Sequence, residues 1–187
     1  RFDLEDRNFH TETHRNGGAE FHFSSNTHPL DDRAGFEFRP ASDRQVRISA
    51  SAGKYFNSPE WSDGLAHAIE QTRGQPGSGD AYSPGWFDIP LATGSPVWVV
   101  VSADRELPLE SEARNFEASR RKLNETAIAR VGFTDPFGKE LAIAMQAYVV
   151  RRDEFKTIVA GYPWFLDWGR DSLICARGLL AGGLTDD

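Results

Sequence analysis

The sequence predicts a mixed fold, an antiparallel β-sandwich portion over residues 1–105 followed by helices. Three observations carry this. Period-two alternation marks "FEFR" at 36–39 and "RQVRISASA" at 44–52 as strands with one wet face. Turn-forming stretches separate the strand-like runs, as in stacked antiparallel sheets. Near Pro108 the pattern changes: "LPLESEARNFEASRRKLNETAIARV" at 107–131 is charged, glycine-free and helical.

Element by element, the opening "RFDLEDRNFH" alternates like a strand. "THPLDDRAG", "YFNSPEWSDG" and "TRGQPGSGDAYSPG" are expected to be turns or strand-edge excursions; the last holds four glycines and two prolines in fourteen residues, 72–85. "SPVWVVVSA" at 95–103 contains the apolar run Val97 to Val101, which predicts a strand buried on both faces. Residues 106–136 form a helical linker. Its helix places Leu109, Phe116 and Leu123 on one face, with acidic residues early and basic ones late, in keeping with the helix dipole. "GFTDPFG" at 132–138 reads as a connection. "KELAIAMQAYVVRR" at 139–152 is apolar on nearly all sides, the mark of a helix buried among helices, and a last helix is expected from about Asp171 to Leu180.

Composition narrows the function classes. With 187 residues, 39% apolar and 12% aromatic, the chain can bury a core. Its formal net charge of -7 and its scattered basic residues argue against a polyanion such as nucleic acid. No apolar run is long enough to span a membrane and no signal peptide opens the chain, so a cytoplasmic location is expected. The first residue is Arg1, and "GGLTDD" follows closely on a helix that has begun to build a buried face; both ends suggest a piece of a longer protein. Oligomeric state is not legible. The single cysteine, Cys175, lies in an apolar helix and is expected to be a small buried hydrophobe.

Several chemistries lack their residues. His10 and His14 are four apart, but in strand-like sequence that spacing does not gather a metal, and no His-Glu-x-x-His frame exists. "GQPGSG" lacks the lysine of a phosphate loop, and no Gly-x-Ser-x-Gly elbow is present. No cofactor and no metal are expected. Trp61, Trp86 and Trp98 are expected in the core, although Trp86, in "SPGWF", stands in a turn-forming stretch where a sugar platform is the alternative.

What remains is "AGYPWFLDWGRDSLICARGLL" at 160–180. Gly161 and Pro163 stiffen a turn, Asp167 is placed to cap the following helix, and Arg170 and Asp171 project from its start. A guanidinium beside a carboxylate supplies both donors and acceptors, which suits vicinal sugar hydroxyls. Tyr162, Trp164 and Trp168 offer apolar faces on which a pyranose can stack. The competing reading makes the aromatics core and pairs Arg170 with Asp167 or Asp171.

The stretch "KTIVAGYPWFLDWGRDSLICARGLL" resembles the signature segment of bacterial and archaeal glycogen debranching enzymes of the amylo-α-1,6-glucosidase type. "DAYSPGWFDIPLATGSPVWVVVSAD" at 80–104 is similar to their N-terminal domain. Ser172 stands where that family more often has Thr, and the loop before the second stretch is richer in glycine. The resemblance implies that residues 137–187 open an (α/α)6 catalytic toroid. It implies hydrolysis of α-1,6-linked glucose at branch points of glycogen or another branched α-glucan, with inversion. Trp168, Arg170 and Asp171 would then hold the terminal glucose, with Tyr162 and Trp164 as further lining. No residue of the chain is assigned as acid or base; these are expected downstream. Alternatives are another toroidal glucosidase, trehalase-like or acting on oligosaccharides, and a non-catalytic carbohydrate-binding or assembly module.

Overall fold

The computed structural model describes residues 1–7, 11–104, 110–159 and 166–184. The chain divides into two compact units, Arg1–Arg114 and Asn115–Asp187.

The first unit holds two antiparallel sheets. One has the order β1-β2-β3-β6, from β1 (Thr27–Pro29), β2 (Gly35–Ala41), β3 (Arg44–Ala50) and β6 (Val99–Ser102). The other is a ribbon of β4 (Lys54–Ala66) and β5 (Ser78–Asp88). Alternation in "FEFR" puts Phe36 and Phe38 inside, opposite Ile48 and Val46 across the β2–β3 pair. From the ribbon, Tyr55, Trp61, Tyr82 and Phe87 join the same aromatic core. Helix α1 (Gly17–Ser25) adds Phe23, which stacks on Phe38 with ring centroids 5.0 Å apart and meets Trp61 edge-on at 5.5 Å. Asn16 caps α1 by accepting from the Ala19 amide at 3.0 Å. Burial of each such ring contributes about 2–3 kcal/mol, so this cluster dominates the stability of the unit.

Several expectations are corrected here. "YFNSPEWSDG" is not a turn but most of β4. Its turn-formers are absorbed as register shifts between Asn57 and Glu60 and between Ser62 and Leu65, flanking Ser58-Pro59 and Asp63-Gly64. Of 72–85, only the first half is loop, and Ser78 onward is strand. Helix α1 lies within the portion expected to be β-sandwich; Asn16 and two glycines start a helix whose inward residue is Phe23. The valine run yields the four-residue strand β6, paired on one side only among the described residues, with Val101 57% exposed rather than buried. Trp61 packs against the core, but Trp86 does not. It stands on the outer face of the ribbon, stacked on Phe56.

A short helix α2 (Ala68–Thr72) joins β4 to β5, and α3 (Glu110–Val131) covers most of the expected helical linker. Phe116 and Leu123 on α3 are exposed, while Leu109 lies outside the described residues.

In the second unit, α4 (Pro136–Met145) begins inside the stretch read as a connection. Asp135 accepts from the Gly138 amide at 2.9 Å, and Pro136 fits the first helical turn, where no amide partner is lost. The apolar stretch 139–152 is not one helix. After Met145 and a 3-10 turn it becomes β7 (Val149–Arg152), paired with β8 (Phe155–Ile158). Two β-branched valines favour the strand, and Asp153, at φ 53°, supplies the left-handed turn residue. Leu141 is half exposed, so α4 is not enclosed by helices. The last helix, α5, spans Gly169–Ala181. Cys175 on it is exposed, not buried. No described helix is long and apolar enough to cross a membrane.

Candidate functional site

Helix α5 starts at Trp168, whose backbone is extended and whose side chain provides no cap. The capping role expected of Asp167 is corrected: its carboxylate turns back to the hairpin. Arg152 of β7 donates to Asp167 Oδ2, and Thr157 Oγ1 of β8 donates to the same oxygen at 3.2 Å. The Arg152 hydrogen bond, with Thr157 adding to it, holds the Asp167 carboxyl below the usual range. The Val159–Asp167 bridge ties the backbone at the same place. The start of α5 is therefore anchored to the β7–β8 hairpin by the group expected to cap the helix.

Trp168 is 59% exposed, Arg170 is exposed and Asp171 is half-buried. Among the described residues, neither Arg170 nor Asp171 has a side-chain hydrogen bond or ion pair, so the structural pairing of Arg170 with Asp167 or Asp171 is not formed. Tyr162 and Trp164 lie outside the described residues. Asp171 in the first turn also faces the positive end of the helix dipole, a favourable placement for a carboxylate.

Along α5, Arg170 and Asp171 precede Ile174 and Cys175 by one turn and share their side of the helix. That side continues through Gly178 and Leu179 and borders a cavity of about 480 Å³. Phe133, Leu141, Met145 and Tyr148 line the rest of it. The cavity is nearly all apolar, and none of Trp168, Arg170 or Asp171 lines it. The polar pair heads the groove without entering it. Sequence reasoning missed Arg152 and Thr157, because their link to Asp167 depends on a hairpin that the apolar run concealed.

Comparison with known families now bears on this arrangement. The family model described as "Glycogen debranching enzyme N terminal" matches residues 1–98, more than half of the chain. The chain belongs to this glycogen debranching enzyme family. A second model, "Amylo-alpha-1,6-glucosidase", matches residues 143–183, a span that includes β7, β8 and α5. Both matches are to families of glycogen-debranching glycoside hydrolases, in the order in which the two resembling stretches occur. No curated protein and no solved structure matches the chain. Among the described residues, no group of His, Cys, Asp and Glu side chains is placed to hold a metal.

Proposed function

We propose that the chain is part of an enzyme that hydrolyses α-1,6-linked glucose at the branch points of glycogen, and that the start of α5 binds the terminal glucose. The observation that carries this reading is the set Trp168, Arg170 and Asp171 at the head of α5, the first two exposed and the third half-buried, with Arg170 and Asp171 unpaired among the described residues, inside the span that matches the amylo-α-1,6-glucosidase model. An indole face for the ring, a guanidinium for hydroxyl oxygens and a carboxylate for hydroxyl hydrogens together meet a sugar's needs. Residues 137–187 would then open the (α/α)6 toroid, with Tyr162 and Trp164 lining the same subsite.

Asp167 is not assigned as the general acid, since the hydrogen bond from Arg152 favours its ionised form. Asp171 is assigned to recognition, so in this reading the inverting acid and base, which stand about 6.5–9.5 Å apart in such enzymes, are carried by other residues of the enzyme. Arg152 and Thr157 are positioning residues that fix the helix start through Asp167.

The test is glucose release from a phosphorylase-limited branched dextrin, with a linear maltooligosaccharide and trehalose alongside. In the catalytically complete enzyme, Asp171→Asn is expected to lower kcat/KM on the dextrin by about 2–4 kcal/mol of transition-state stabilisation. An unchanged kcat/KM would remove Asp171 from the site. Release from trehalose instead would replace the branch-point reading with a trehalase-like one.

A further inference from the structure

The outer face of the β4–β5 ribbon has no role in the function proposed above. Phe56 and Trp86 are direct cross-strand partners, and their rings stack with centroids 4.3 Å apart and planes 14° from parallel. Yet the two residues are 39% and 37% exposed. Each ring covers one face of the other, and part of each residue stays open to solvent. Gly85, beside Trp86, lets the strands approach closely, since a Cβ there would lie 2.1 Å from the Phe56 carbonyl oxygen.

Phe56 also borders a groove of about 320 Å³ whose lining includes Leu30, Arg33, Gly53 and Lys54. Arg33 is pinned there by Asp32, donating from Nε at 2.9 Å and Nη2 at 2.7 Å to one carboxylate oxygen. In the next row of the ribbon, Lys54 is paired in register with Asp88. The groove is therefore bordered by the cations Arg33 and Lys54, with the carboxylate of Asp32 on Arg33 and Asp88 opposite Lys54 in the ladder, so its surroundings carry both signs.

We infer that this face is a docking site for a linear α-glucan chain, distinct from the start of α5. Charge complementarity selects the ligand class. A rim of both signs offers donors and acceptors together, which suits a neutral polyhydroxyl ligand better than a polyanion or a cation. The braced rings supply an apolar platform already fixed in conformation, so little side-chain freedom is lost on binding. The choice of an α-glucan among neutral saccharides rests on the proposed function; the platform and its rim do not.

The experiment is a titration of the 187-residue chain with maltoheptaose, following the indole N–H signals of its tryptophans by NMR, together with native electrophoresis in gels containing amylopectin. Saturable shifts at the Trp86 indole and retardation in the gel are expected. Trp86→Ala should weaken binding about tenfold or more, and Trp86→Phe, which keeps a ring, should retain most of it. Equal retardation of the Trp86→Ala and native chains overturns the inference. So does a native chain that is not retarded, or a Trp86 signal that stays still while Trp168 moves; that last pattern leaves the α5 reading standing. If Trp86→Ala does not fold, the native Trp86 signal decides alone. Movement at Trp86 sustains the docking site whatever Asp171→Asn does to kcat/KM.

Discussion

The two units treat their apolar residues in opposite ways. In the first, Phe23, Phe36, Phe38, Ile48 and Tyr82 are buried in one ring-rich cluster, with Phe36 at 0% exposure. In the second, the buried hydrophobic side chains among the described residues are Ala127 and Ala142, while Leu173 on α5 is 79% exposed and Ile174 and Leu180 are also open. Apolar content alone does not make a core; sheets that face one another do. The ribbon and the four-stranded sheet supply two inner faces, whereas α5 carries apolar residues around most of its circumference and covers few of them.

The sharpest test of this contrast is Phe36→Ala, which leaves a cavity at the centre of the ring cluster. It should cost about 3–5 kcal/mol in urea unfolding followed by near-ultraviolet circular dichroism. A loss under about 1 kcal/mol would mean that the first unit is not held by this cluster.

A smaller effect of opposite sign is expected at Tyr55. Its hydroxyl is buried with no hydrogen-bond partner among the described residues, and burial, with Tyr82 adding to it, pushes its phenol up to about 12. Tyr55→Phe removes the unmet group and should stabilise by up to about 1 kcal/mol. The folded protein keeps the Tyr55 proton after the unfolded chain, which titrates near 10, has released it. This contribution is full below about pH 10 and is lost as the pH rises towards about 12. A tyrosinate absorbance titration should show late titration in the native chain that is reduced in Tyr55→Phe, where Tyr82, also pushed up by burial, still titrates above the ordinary value. A single step near 10 for every tyrosine would contradict the burial.

The smallest effect belongs to Leu173→Ser, expected to stay within about 0.5 kcal/mol in the same urea experiment. A cost comparable with Phe36→Ala would show that α5 is covered in solution, and the contrast between the units would fail.

What could be read from the sequence followed the range of the interactions. Strands β2 and β3 and helices α3 and α5 were legible because their signals are local: alternation about Phe36 and Ile48, a glycine-free amphipathic run, and an apolar helix after Arg170-Asp171. Strand β4 was not. Asn57, Ser58, Pro59, Asp63 and Gly64 are turn-formers on any local reading, and only the partner strand shows that they sit at register shifts within a ribbon. The apolar stretch at 139–152 misled for the converse reason, since Val149 and Val150 suit a strand that exists only because Phe155–Ile158 pairs with it. At the candidate site, Arg170 and Asp171 lie in the first turn of α5, the first exposed and the second half-buried. The tie from Asp167 to Arg152 and Thr157 could not be seen without that hairpin.

Strand β6 carries one more consequence. It ends the order β1-β2-β3-β6, so its outer row of amides and carbonyls has no strand neighbour among the described residues, and Val99 and Val101 stand open beside it. A bare, valine-rich edge is a template on which a strand from another molecule can add, the first step towards intermolecular sheets. Here the strand is four residues long, with Pro96 shortly before it and Asp104 just after it. Proline cannot extend the ladder and a carboxylate repels its own copy, so the two residues act as guards that keep a sticky edge from propagating.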